Sequence, residues 1–405
     1  MSSRTSSKTV DLIKLMPQDL QVGQPVAWPV CDAAGQQLLE KGGMVESEDY
    51  KRLLEQVGYF ARELDGPVRQ PVVFKNKVNP FAEFDDLCMQ LESIFRMLDT
   101  SKSFPPGSIK KKLLDIVTNI QGLVHYDADA LMGAVHLSDQ FEYHVHHPMQ
   151  IAILTELILQ RLKVPQNIRL SVLGAALTAN LAMNPYQKTL NQQRTPLNEQ
   201  QRKLVNQHPL LSARQLREAG VDDELWIELV EQHHEKLDGT GYPNGLKGDE
   251  IRREALVLAL ADVYSAMVTP RVYRGPIKLT ESLKDLFTQR GSKFDDKLTR
   301  LFINELGLYP PGIYVRLNNG ELAVVVGRTT DFKAPVVACI KKPDGNMYPS
   351  PRKRSSAEEG YGVRYVCDPS ERVRVDPSQL WGFEALRVNI KVDLSSVDAF
   401  IRGLR

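Results

Sequence analysis

Two adjacent histidines, His233 and His234, open the string HHEKLDGTGYPNGLKG, which runs to Gly248. Asp238-Gly239 and Gly241 offer the positive-φ positions that a tight, backbone-exposing loop needs. Pro243 stiffens the turn and removes a donor. Neighbouring imidazoles at the end of a helix, beside such a loop, suit a metal site with a ligand at its rim. A histidine pair alone is explained as well by capping or solvation, so the weight rests on the whole string. Further candidate ligands are spread along the chain. His144, His146 and His147 crowd the start of FEYHVHHPMQIAIL. His208 follows Asn198-Glu-Gln-Gln201, an N-cap with a capping-box partner, and should project from a helix. Asp262 lies in the apolar run Val257 to Met267, where an inward acid needs a reason. Taken singly, His208 reads equally as a surface histidine and Asp262 as a buried cap or ion-pair partner.

The elements that must position these residues are mostly helices. A chain of 405 residues has room for two or three domains with their own cores. Its net charge of +1 gives no reason to expect DNA or membrane-surface binding. Cys31, Cys88, Cys339 and Cys367 lie far apart without CxxC spacing, which fits reduced thiols. No run approaches the roughly 20 apolar residues of a membrane span, and the first residues lack the apolar core of a signal peptide. The expected location is cytoplasmic. Residues 1–74 read as a small α/β module, with short strands and a helix from Ser47 to Gln56 that turns Leu53 and Leu54 inward. Residues 75–140 read as a helical connector, broken at Phe104-Pro-Pro-Gly107. Such helices suit a homodimer interface or, equally, a cover for the helical core behind them. Residues 141–309 read as helices throughout. From Pro310-Pro311 to residue 405 the pattern is β-rich: strands at Ile313 to Leu317, Leu322 to Val326, Val336 to Ile340 and Val363 to Val366. Arg352-Lys353-Arg354 falls in a solvated loop and Ser395 to Leu404 in a closing helix. The expected fold class is mainly α.

The string HHExxDGxGYP resembles the signature of HD-GYP proteins, bacterial phosphodiesterases and receptors for cyclic di-GMP. The resemblance implies an all-helical HD-superfamily domain over 141–309 and a metal site drawn from five separated places. The first is His147, with Tyr143 where the family often has Glu and Pro148 biasing the histidine away from the α region. The second is the HD dipeptide in a frame like GAALLHDIGK. Here the frame is Gly174-Ala-Ala-Leu-Thr-Ala-Asn-Leu-Ala-Met183. Ala179 stands at the ligating His, Asn180 at the bridging Asp and Met183 at the phosphate-binding Lys. A neutral Asn is a weak oxygen ligand and does not bridge two cations as a carboxylate does. The third place is His208, the fourth His233-His234 and the fifth Asp262. Ser265 stands at a common Asp, and Leu256 replaces a frequent Arg.

On the ligand side, Thr269-Pro-Arg-Val-Tyr-Arg274 resembles the family's SxRxYR segment. Arg271 and Arg274 fall where the family sets cations against the dinucleotide's phosphates, and Tyr242 and Tyr273 offer stacking faces. Asp238, Gly239, Gly241, Tyr242, Pro243, Arg271, Tyr273 and Arg274 make up the expected ligand-binding set. His147, His208, His233, His234 and Asp262 make up the metal set, enough for at most one divalent ion of the iron or manganese kind. The leading expectation is a catalytically impaired cyclic di-GMP receptor or interaction module, with protein partners of the diguanylate cyclase or other signalling type. The alternatives are an active metal-dependent phosphodiesterase yielding pGpG or GMP, with His144, His146 or Asn180 recruited, and a module that binds neither metal nor nucleotide.

Overall fold

The computed structural model describes residues 10–15, 19–26, 29–32, 37–63, 69–74, 78–100, 104–269 and 279–383. The N-terminal part holds β1 (Val10–Lys14), β2 (Val30–Cys31), β3 (Gln37–Leu39), α1 (Glu48–Val57) and β4 (Tyr59–Glu63). Its strands form an antiparallel sheet in the order β1-β4-β2-β3. Ser47 starts α1 by accepting a hydrogen bond from the Tyr50 amide. Leu54 joins a small separate core with Leu15, Leu20, Val26, Val30 and Val45. Leu53, expected inward beside it, is 52% exposed. Successive helical residues point about 100° apart, and a module this small buries only a narrow stripe of the helix.

The helical part begins with α2 (Pro80–Thr100) and α3 (Ser108–Leu137). Pro105 and Pro106 lie between the two, and Gly107, at φ +69°, admits the chain to the second. Then come α4 (Tyr143–Arg161), α5 (Gln166–Thr178), α6 (Asn184–Gln192), α7 (Glu199–Glu218) and α8 (Glu224–Gln232). After the loop, α9 (Arg253–Val268), α10 (Leu279–Thr288) and α11 (Asp296–Leu306) complete the set. Helix α4 is buried on all sides from Val145 to Leu159, packed by α3, α5 and α9, so it is the central rod of the domain. Its one deep charge, Glu156, is fully buried and paired with Arg169 of α5. Pro148 does not divert the chain. The helix runs through it, and His147 keeps helical geometry because the flanking packing fixes that turn.

Helices α5 and α8 meet across Gly174. A Cβ there would lie 2.4 Å from the Trp226 ring, whose Nε1 donates to Thr178 Oγ1 at 2.8 Å. Helix α7 starts with the expected capping box between Asn198 and Gln201.

The C-terminal part is a five-stranded antiparallel sheet of β5 (Tyr314–Leu317), β6 (Leu322–Gly327), β7 (Val336–Lys341), β8 (Met347–Ser355) and β9 (Val363–Val366), in the order β8-β7-β6-β5-β9. It is followed by the short α12 (Pro377–Trp381). Arg352-Lys353-Arg354 lies within β8 rather than in a loop. Pro349 and Pro351 obscure that strand in the sequence, and an edge strand tolerates them. The sheet and the helices share one continuous apolar core. Trp381 packs against Gly133 of α3 and the Phe81 ring. His136 Nδ1 donates to the carbonyls of Met132 and Pro311, while its Nε2 accepts from Tyr264. Among the described residues no helix is long and apolar enough to cross a membrane. The closing helix expected at Ser395 to Leu404 lies outside the described residues.

Candidate metal centre and ligand cavity

Helix α7 carries His208 and the end of α8 carries His233 and His234. The three imidazoles offer ring nitrogens within 4.8 Å of one another. Two of the rings are aimed by backbone carbonyls. His208 Nδ1 donates to Val205 O at 2.7 Å, and His233 Nδ1 donates to Val230 O at 2.6 Å. Both carbonyls are left over by the helices. Pro209 has no N–H to give Val205, its partner four residues back. Val230 lies in the last turn of α8, where carbonyls lose their helical donors.

With each Nδ1 holding the proton, each Nε2 is a bare lone pair, and the two face each other at 3.2 Å. Two facing lone pairs repel unless a cation lies against both. Ligands about 2.1 Å from a shared ion sit roughly 3.0–3.4 Å apart, so this spacing fits one. Burial and the neighbouring His233 pull the His208 pKa down to about 3. Burial also depresses His233, and depresses His234 further. All three are neutral near pH 7, the state that ligates.

Asp262, on α9, is 6% exposed and closes the other side. Its Oδ1 accepts from His147 Nε2 at 2.9 Å, and its Oδ2 lies 3.7 Å from His234 Nδ1. Burial works against its charge, yet the His147 hydrogen bond and the surrounding imidazoles win and hold the carboxyl well below the usual range. Tyr143 stacks on His147 with centroids 4.6 Å apart, and Tyr242 covers His234 at 4.7 Å. The five candidate metal ligands are therefore brought together from four helices.

Helix α5 ends at Thr178, so Ala179, Asn180 and Met183 turn beside this cluster. Ala179 is buried and bears no donor. Asn180 and Met183 line a cavity of about 560 Å³ together with His147, His208, His234 and Asp262. The Asn180 amide nitrogen is buried there without a hydrogen-bond partner. The donor set thus suits one ion at the histidines and supplies no second bridging carboxylate at α5. His144 and His146 face elsewhere: His144 lies near Phe95, and His146 packs edge-on against Phe84.

The loop after α8 is held by Glu235, a residue that the sequence reading passed over. Its carboxylate is buried and accepts from the amides of Asn244, Gly245 and Leu246. Its position between His234 and the loop is the only signal the sequence offers for this role. Gly239 has φ +76° as expected, but Gly241 does not have a positive φ. It is required for another reason, since a Cβ there would lie 2.5 Å from the Glu235 and Lys236 backbone. Asp238 is exposed and closes a turn by accepting from the Thr240 amide and hydroxyl. Of the expected loop residues, Tyr242 lines the cavity; Asp238, Gly239, Gly241 and Pro243 build the turn behind it. Arg194, between α6 and α7, also lines it, a cation that no motif announces. Arg271, Tyr273 and Arg274 lie outside the described residues.

Residues 134–298 match the family model described as an HD domain. A cyclic di-GMP phosphodiesterase of Pseudomonas aeruginosa is 29% identical over 212 residues, 52% of this chain and 51% of that protein. One of Borreliella burgdorferi is 25% identical over 184 residues, 45% of this chain and 48% of its own. The match spans about half the length of these relatives. A solved HDG"Y"P protein from Bdellovibrio bacteriovorus aligns at a TM-score of 0.47 with 16% identity, over 72% of this chain and 98% of its own. The loop string, the order of the histidines along the chain and the matching family model meet in one assignment: residues 134–298 form a domain of the HD-GYP family.

Proposed function

We propose that this domain is a cyclic di-GMP receptor that holds a single divalent ion and is impaired in hydrolysis. The observation that carries the reading is the pairing of an intact histidine cluster with Asn180 at the cavity wall and the buried Ala179 before it, where the resemblance sets a bridging carboxylate and a ligand. His208, His233 and His234 would hold an ion of the iron or manganese kind, with Asp262 beside them. Such an ion would polarise a phosphate oxygen and acidify a bound water. The chain's own groups bind and orient the dinucleotide. Tyr242 and Tyr143 offer flat faces at the cavity and Arg194 a cation at its wall, and the family resemblance assigns Arg271 and Arg274 to the phosphates. An active phosphodiesterase is the competing reading, favoured by the activity named for the relatives. Titration calorimetry and a turnover assay on the same metal-loaded protein separate the two. The receptor reading expects micromolar binding of cyclic di-GMP with turnover no higher than in His233→Ala/His234→Ala. Turnover that this double variant abolishes would establish the enzyme, and absence of binding would remove both.

A further inference from the structure

A second, larger cavity of about 770 Å³ opens where α3 and α4 meet β9 and the turn after it. Its walls include His146 and Ser138, which the metal-centre cavity does not share. His146 is 8% exposed, lines the cavity, and its Nε2 is buried without a hydrogen-bond partner. Ser138 lines it too, and its hydroxyl is likewise buried and unpartnered. Orphaned polar atoms of this kind are costly unless a ligand or water meets them. Phe141 and Tyr143 add aromatic surface, and Arg364 and Arg372 stand at the sheet side.

We propose that this cavity is a second ligand site, for a nucleoside monophosphate, distinct from the metal centre. Arg364 and Arg372 line the cavity beside Asp139 and Asp368, and a guanidinium can bind a phosphate bidentately. Phe141 and Tyr143 give a planar base a surface to lie on. His146 and Ser138 stand in the same wall. The cavity is far larger than one phosphate needs, and its aromatic wall has no use for a bare anion. Tyr143 also lines the smaller cavity and stacks on His147, so the two sites share a wall.

The test is calorimetry with 5′-GMP on the full chain stripped of metal by a chelator, with inorganic phosphate as a second probe. Binding of 5′-GMP at one site is expected, weakened about tenfold or more in Arg364→Ala/Arg372→Ala, both exposed positions whose loss spares the fold. His146→Phe, which removes the ring nitrogens, should weaken it. His208→Ala, which removes a metal-centre group, should leave it unchanged, so failure of the metal-centre reading does not imitate failure here. No binding to the unsubstituted chain would overturn the proposal. So would 5′-GMP binding that is lost in His208→Ala but indifferent to the arginines, or inorganic phosphate binding as tightly as 5′-GMP.

Discussion

An α-helix ordinarily commits the Val205 carbonyl to the amide of residue 209. Proline there frees the carbonyl, and the His208 ring takes it. A hydrogen bond of this kind sets the tautomer and the aim of a ligating imidazole, and losing one typically lowers metal affinity about 10- to 100-fold. Pro209→Ala returns an N–H that competes for Val205. The expected result is metal affinity at least about tenfold weaker, by chelator competition, with helical content and thermal midpoint unchanged or raised. Unchanged affinity would mean that the carbonyl does not orient the ring. At this scale the sequence was legible in its histidines: His208, His233 and His234 form one cluster, and His147 bonds Asp262 beside it. It was not legible where a common residue acquires its role from position. Glu235 is one glutamate among many until three loop amides turn toward it, and Arg194 is a lone cation in a polar connection.

Elements set the distances between these residues. The α5 terminus with Ala179 and Asn180 is held to α8, and so to His233, by the close approach at Gly174 over the Trp226 ring. Gly174→Val drives a branched side chain into that ring. Overpacking of this sort costs about 1–3 kcal/mol, and moving α5 from α8 should also weaken metal binding. A lowered urea midpoint together with lower metal affinity is expected; an unchanged midpoint would show that the helices part without cost. Long periodic helices were readable, as were the breaks at Pro105-Pro106 and the capping box at Asn198, because each follows from local chemistry. Strand β8 was hidden, since Pro349 and Pro351 argue against a strand until its edge position is known. The inward face of α1 was half misread for a related reason: the width of the buried stripe depends on what packs against it.

At the scale of the molecule, the helical domain and the C-terminal sheet share one apolar core, and His136 ties α3 to α9 and to the turn before β5. Burial brings the His136 pKa from 6.5 down to about 4, against the pull of the two carbonyls it donates to. The folded state therefore favours the neutral ring. Its contribution is complete above about pH 6.5 and is lost as pH falls toward 4, with a slope of up to about 1.4 kcal/mol per pH unit. In metal-free protein the urea midpoint should fall more steeply between about pH 6.5 and 5 than in His136→Gln. Parallel slopes would show that the ring titrates freely.

The histidine cluster beside Ala179 and Asn180 makes the central claim, one ion rather than two. The most direct test is metal content per chain by elemental mass spectrometry, on protein loaded with iron or manganese and freed of excess. The account predicts one ion in the unsubstituted chain, none in His208→Ala, and two when Ala179→His, Asn180→Asp and Met183→Lys are introduced together. Two ions in the unsubstituted chain, or one that persists in His208→Ala, would contradict it.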